Sequence, residues 1–271
     1  TRGAMTDYPT FAADQHDDIL EFFRGNGFAV IANSMSDEDV RYLNDFVDRS
    51  AEERPDEWGV GRGTLRSHGQ ILVDHPELDG FVQSAGTYPL LQAILGADIR
   101  FAQFDFRDAP DGTGTDVGMG WHQDRPQVTR ENWNPDHPYR CRYGCSIHYL
   151  TDVTKDTPSF AVVPDSLHCE SIEEAREKKG DDFRILPLRG PAGTGIIYNI
   201  ATLHTRLAGA TDAGRRTQHT YFSMETSPAL TNWVLIPERL AKHDSPAQRA
   251  FYGQWTPATE EWASSGFGAR P

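Results

Sequence analysis

A chain of 271 residues can bury one large core without a disulfide staple, and its three cysteines, Cys141, Cys145 and Cys169, form no paired framework. They read as buried free thiols, which points to a reducing, cytoplasmic setting. Forty acidic against 26 basic residues, a net charge of −14, repel a phosphate backbone, and no Lys/Arg block reverses the sign, so nucleic acid is excluded as a partner. No apolar run reaches the ~20 residues of a membrane span, and no signal peptide is recognisable. Thr1 to Ala4, ahead of Met5, look like a tag remnant, which leaves residues 6–271 as one expected domain, monomeric or homodimeric.

Residues 14–24 carry Ile19, Leu20, Phe22 and Phe23 at helical spacing and stop near Gly25-Asn26-Gly27. Phe28 to Ile31 reads as a strand. Ser36 caps a second helix, with acids in its first turn and Val40, Leu43, Phe46 and Val47 along one face. Arg54 to Gly69, rich in Gly, Arg, Trp and Pro, has no clean period and reads as a long loop of the kind that forms a substrate lid. A third helix runs from Thr87 as cap to Gly96 as stop, with Pro89 in its first turn.

From Ile99 the texture turns to strands. Ile99–Arg107 places Phe101, Gln103, Asp105 and Arg107 on one face, with Ala102, Phe104 and Phe106 on the other. Pro110–Gly120 and Val128–Pro138 read as loops. Tyr143–Leu150, Phe160–Pro164, Gly195–Ala201 and Thr217–Met224 are strand candidates, and Ser171–Lys179 is a short charged surface helix. Helices first and many short strands after them argue for a β-sandwich or barrel with an N-terminal helical layer.

Two segments carry the chemistry. In Gly120-Trp121-His122-Gln123-Asp124, His122 and Asp124 are two apart, so on an extended strand both side chains leave the same face. His204, 82 residues on, is the candidate third ligand. Two histidines and one carboxylate, with positions left open, is the donor set of non-haem Fe(II) oxygenases. Arg215, eleven residues after His204, is a fixed cation able to clamp a carboxylate through two parallel hydrogen bonds. Triad and distal arginine together suit an iron site that uses 2-oxoglutarate. Taken singly, each residue has a plainer reading: a surface His-Asp pair, a strand-end histidine and a solvated arginine.

In order along the chain, these features resemble the phytanoyl-CoA dioxygenase family of Fe(II)/2-oxoglutarate oxygenases. The likeness is carried by Phe22 to Ile31, Met35 to Val40, Trp121-His122-Gln123-Asp124, the turn Phe160 to His168 and His204 to Arg215-Arg216, and it spans about residues 12–225. In the turn, Asp165 stands where the family has glycine. The resemblance implies a mainly β double-stranded β-helix, a cupin-like jelly-roll, with flanking helices. It implies Fe(II) on His122, Asp124 and His204, and 2-oxoglutarate chelating the metal with its far carboxylate on Arg215, and O2 as co-substrate. Gln103 falls where family members present a cofactor- or substrate-facing side chain, and Gln70 is a further such candidate.

Two departures stand out. Arg206 takes the place of a small hydroxyl residue that helps hold 2-oxoglutarate, and Ala208-Gly209 replaces Pro-Asn ahead of the arginine. Arg206 is then either a solvated strand-end residue or one aimed at a substrate anion. Arg107, Arg125 and Arg140, with Trp121, Trp133 and Tyr149, are placed near the expected pocket mouth, and the substrate read from them is small and polar. The implied activity is hydroxylation of an unactivated C–H bond with release of succinate and CO2. Asp124 speaks against halogenation, because related iron halogenases lack that carboxylate. Desaturation, ring closure and epoxidation use the same triad. A redox-neutral cupin-type metalloenzyme and a non-catalytic binding member of the fold stay open as alternatives.

Overall fold

The computed structural model describes residues 7–60, 65–115, 120–124, 136–231 and 234–253. Eight strands form one sheet in the order β1-β2-β9-β6-β11-β5-β4-β3, and three form a second in the order β10-β7-β8. The first sheet comprises β1 (Thr10–Ala12), β2 (Phe28–Ala32), β3 (Gly59–Val60), β4 (Arg66–His68), β5 (Arg100–Ala109), β6 (Tyr143–Tyr149), β9 (Gly195–Asn199) and β11 (Arg215–Ser223). The second comprises β7 (Ser159–Val162), β8 (Leu186–Leu188) and β10 (His204–Leu207). Neither sheet closes on itself. Every pairing is antiparallel except β1 with β2.

Because strand side chains alternate, the eight-stranded sheet has two buried faces. Its inner face sets Phe28, Val30, Ile147 and Ile196 against Phe160, Val162 and Leu188 of the small sheet. Its outer face buries Ala29, Ile31, Phe104, Phe106 and Phe222 against the helices α1 (His16–Asn26), α2 (Asp37–Glu53) and α3 (Tyr88–Leu95). The helices form as their periods and caps dictate. Ser36 accepts a hydrogen bond from the backbone N–H of Asp39 at 3.1 Å, and Gly27 ends α1 in the left-handed conformation at φ 78°. Thr87 precedes α3, but its side chain makes no capping bond there; Pro89 and the close seating of α3 on the sheet hold that end. A Cβ added at Gly144 would come within 2.7 Å of Leu91 Cδ2, which shows how closely α3 lies on β6.

Three expectations change. The stretch 54–69 is not a plain loop: it holds a 3-10 turn at Pro55–Glu57 and the strands β3 and β4, which extend the sheet edge beyond β5. Its residues 61–64 lie outside those described. Phe101 does not share a face with Gln103. A bulge opposite Tyr221/Phe222 pairs Tyr221 with Gln103 but Phe222 with Phe101, so Phe101 turns outward onto Phe251 and Tyr252. Ala102 joins the inner cluster instead. The third change concerns the strands β1, β8 and β10, which are three or four residues long, too short to show a period of their own.

Gly27 provides a direct test of how the helical layer meets the site-bearing strands. Its φ is positive, and a Cβ there would fall 2.5 Å from the hydroxyl of Thr202, which donates to the Gly27 carbonyl at 3.2 Å. Gly27→Ala is expected to cost about 1–3 kcal/mol, read as a lower urea midpoint with an unchanged slope.

Candidate metal and cofactor site

The segment 120–124 bends at Trp121 and Asp124 and belongs to neither sheet. It is pinned by an isolated two-bond bridge in which His122 and His204 exchange backbone hydrogen bonds at 3.1 and 3.0 Å. Asp124 N–H donates to the carbonyl of Ile200 at 3.0 Å, and the Gln123 amide turns the other way to the carbonyl of Ala201. So the side chains of His122 and Asp124 approach each other, although no regular strand holds them. The other side of the bridge is set by the turn after β7. Asp165 adopts φ 48°, a left-handed conformation that Asp tolerates better than most non-glycine residues. Next to it, buried Ser166 donates to the Val163 carbonyl at 2.6 Å and accepts from Leu203 N–H at 2.8 Å, which fixes the chain one residue before His204.

These constraints bring one potential donor atom from each of His122, Asp124 and His204 within 4.8 Å of one another. Nε2 of His204 lies 3.5 Å from Asp124 Oδ2, and Nε2 of His122 lies 3.7 Å from Oδ1. The two spans end on different oxygens of the one carboxylate, so the group lies between the two imidazoles. The tautomers suit a metal. Nδ1 of His122 is 2.7 Å from the Gly120 carbonyl and Nδ1 of His204 is 2.8 Å from that of Thr202. Those carbonyls can only accept, so each Nδ1 carries the proton and each Nε2 keeps a lone pair. Burial and then the facing His204 lower the pKa of His122, which favours the neutral imidazole a metal needs. Burial would raise that of Asp124, yet His204, Arg107 and His122 hold it well below the usual carboxylate range.

Arg215 lies on the inner face of β11 and is 6% exposed, and its Nη1 is buried with no hydrogen-bond partner. Burial, with Arg206 and Arg107 nearby, lowers its pKa to about 10, so it stays protonated at neutral pH. A buried guanidinium donor left without a partner carries a desolvation cost that an anion would relieve. Arg216 shows the opposite fate. It points outward, donating to Asp108 at 3.2 Å and Asp48 at 2.7 Å, and it ties β11 to α2.

Other predicted residues separate just as clearly. Gln103 and Arg107 sit on the inner face of β5, joined through Asp105. The Gln103 amide donates to one carboxylate oxygen, and Arg107 Nε lies 3.4 Å from the other. Arg206 is buried, not solvated, because β10 directs positions 204 and 206 to the same side. Gln70 accepts from Leu235 N–H at 2.9 Å. Trp121 packs against a small cluster that includes Val163 and Leu203. Arg140 and Tyr149 are not rim residues. Arg140 binds Asp165 at 3.1 Å, while Tyr149 is fully buried and donates to the Leu188 carbonyl at 2.7 Å. Arg125 and Trp133 lie outside the described residues. The three cysteines are free and buried.

Sequence reasoning missed Tyr198, Tyr221 and His219. Tyr198 donates to Asp124 Oδ2 at 3.2 Å, and His219 is 2% exposed with a buried, unpartnered Nδ1. Counting by twos from Arg215 along β11 reaches His219 and Tyr221, so the signal for those two was present.

This geometry agrees with the comparisons. The sequence matches the phytanoyl-CoA dioxygenase (PhyH) family across residues 23–217. The chain belongs to the PhyH family. Members of the family use Fe(II) and 2-oxoglutarate, and the fold is the family's cupin-like jelly-roll. Among solved structures it resembles the non-haem α-ketoglutarate-dependent epimerase SnoN from nogalamycin biosynthesis, with a TM-score of 0.63 and 15% identity over 82% of this chain and 90% of that one. The α-ketoglutarate-dependent carbocyclase SnoK from the same biosynthesis aligns with a TM-score of 0.61 and 17% identity, over 80% and 87%. HygX from Streptomyces hygroscopicus, with nickel and 2-oxoglutarate bound, aligns with a TM-score of 0.63 and 15% identity, over 78% and 88%. No curated protein matches by sequence. Among the described residues of this PhyH member, no helix is long and apolar enough to cross a membrane.

Proposed function

We propose that this PhyH protein is an Fe(II)/2-oxoglutarate-dependent oxygenase that hydroxylates an unactivated C–H bond of a small polar metabolite or natural-product intermediate. The observation that carries the reading is the meeting of His122, Asp124 and His204 on the same inner surface as Arg215, whose buried Nη1 has no partner. The donor set fits Fe(II), and the orphaned guanidinium fits the far carboxylate of a keto diacid. When bound, the metal and 2-oxoglutarate supply O2-dependent oxidation with loss of succinate and CO2.

The chain's own residues bind, orient and keep water out. His122 and His204 present Nε2 because their Nδ1 protons are taken by backbone carbonyls. Asp124 contributes the one anionic ligand. Arg215 holds the cofactor's carboxylate in surroundings dry enough for the ion pair to be strong. Arg107 and Arg206, both on the inner surface, are the candidates for a polar or anionic group of the substrate, with Gln103 beside them.

A second outcome at the same site rests on the company the fold keeps, since SnoN is an epimerase and SnoK a carbocyclase. The two readings differ in product composition. Hydroxylation adds one oxygen atom, epimerisation leaves the formula unchanged, and oxidative ring closure removes two hydrogens. The test combines an anaerobic titration with Fe(II) and 2-oxoglutarate, followed by its visible metal-to-ligand charge-transfer band, with a metabolite screen for substrate-stimulated succinate release. Absence of the band would favour a redox-neutral metal enzyme.

A further inference from the structure

Behind Asp124 runs a buried file of polar side chains whose hydrogen bonds can point only one way. Arg107 Nη2 donates to the hydroxyl of Tyr221 at 2.7 Å. The hydroxyls of Tyr221 and Tyr198 are 3.5 Å apart, and Tyr198 lies 3.2 Å from Asp124 Oδ2. A guanidinium has donors only and an ionised carboxylate has acceptors only. Tyr221 therefore accepts from Arg107 and donates to Tyr198, which in turn donates to Asp124. Asp105, 3.4 Å from Arg107 Nε and bonded by Gln103, anchors the far end. Both tyrosines are buried, at 0% and 3% exposure, so water does not compete for these bonds. Backbone hydrogen bonds pin the segment at His122 and at Asp124 N–H, but they do not involve the Asp124 carboxylate, which the Tyr198 hydroxyl reaches.

Building on the metal reading above, we infer that Tyr198, backed by Tyr221 and Arg107, is the positioning residue that fixes the orientation of the Asp124 carboxylate for metal ligation. The Tyr198 hydroxyl, bonded to one carboxylate oxygen, fixes the plane of the group before any metal arrives.

The test measures anaerobic Fe(II) affinity of wild-type protein and of Tyr198→Phe, Tyr221→Phe and Tyr143→Phe, alongside the thermal midpoint without metal. Tyr143 serves as a control because it is an equally buried tyrosine whose hydroxyl bonds the Pro228 carbonyl at 2.7 Å. Tyr198→Phe is expected to weaken Fe(II) binding about 10–100-fold, the usual effect of losing a group that orients a ligand. Tyr221→Phe should weaken it less, in the same direction, and Tyr143→Phe should leave it unchanged. If Tyr198→Phe fails to fold, the comparison of Tyr221→Phe with Tyr143→Phe decides. Wild-type affinity in both the Tyr198 and Tyr221 variants, or an equal loss in all three, overturns the inference while leaving the metal assignment standing. A wild-type protein that takes up no Fe(II) overturns both.

Discussion

Asp124→Ala is expected to bring both Fe(II) uptake and succinate release down to background, and His122→Ala and His204→Ala to do the same. Asp124 is the one anionic member of the triad, and its carboxylate is kept ionised by the facing His204, Arg107 and His122 despite burial. Without it, two neutral imidazoles would have to hold a dication unaided, with Arg107 close by as an opposing charge. The backbone of the segment should survive, because the bonds between His122 and His204 and from Asp124 N–H to Ile200 do not involve the carboxylate. The metal-free thermal midpoint of Asp124→Ala should therefore move by only about 2–4 °C, the equivalent of roughly 1 kcal/mol at this size. Anaerobic titration with Fe(II), an aerobic succinate assay and a thermal scan check the three statements together. Turnover retained in the three variants would remove the metal assignment.

Arg215→Leu should lose the cofactor and gain stability at once. Truncating one partner of a desolvated charge pair costs about 2–5 kcal/mol, which is roughly a 30- to 4000-fold weaker dissociation constant for 2-oxoglutarate. Fe(II) affinity should stay near wild type, since Arg215 is not among the metal donors. Without a bound diacid the guanidinium is a buried cation with an orphaned donor, and burial above all lowers its pKa to about 10. The charged form is thus disfavoured in the folded state by a few kcal/mol. A depressed cation pKa destabilises the fold wherever the group is protonated in both states, that is at every pH below about 10, and the penalty fades only above it. Replacing the charge with an apolar side chain of similar reach removes that penalty at neutral pH. The cofactor-free variant is expected to melt above wild type, while saturating Fe(II) and 2-oxoglutarate should raise the wild-type midpoint far more than the variant's. A variant that melts lower without cofactor and still binds 2-oxoglutarate normally would refute the clamp.

The sequence by itself determined the local elements and the donor chemistry. Ser36, the acids after it and the spacing of Val40, Leu43 and Phe46 were sufficient for α2, and Gly27 for the end of α1, because caps and periods act within a few residues. His122, Asp124, His204 and Arg215 were legible as a set because residue type and spacing constrain what they can bind. Only the tertiary structure decided which of several equivalent residues face inward. Arg215 and Arg216 are neighbours of identical chemistry, yet the strand's alternation buries one without a partner and ties the other to Asp48 and Asp108. Arg206 proved buried because β10 is part of a second sheet too short to read in sequence. Phe101 changed face because a bulge, which depends on the partner strand, shifted the register by one. Tyr198 became visible only when β9 and the segment 120–124, 74 positions apart, were brought within hydrogen-bond reach. Local propensity acts over a turn or a strand, whereas burial, pairing and electrostatic field are set by residues distant in the chain, and those are what turn four suitable side chains into a candidate site.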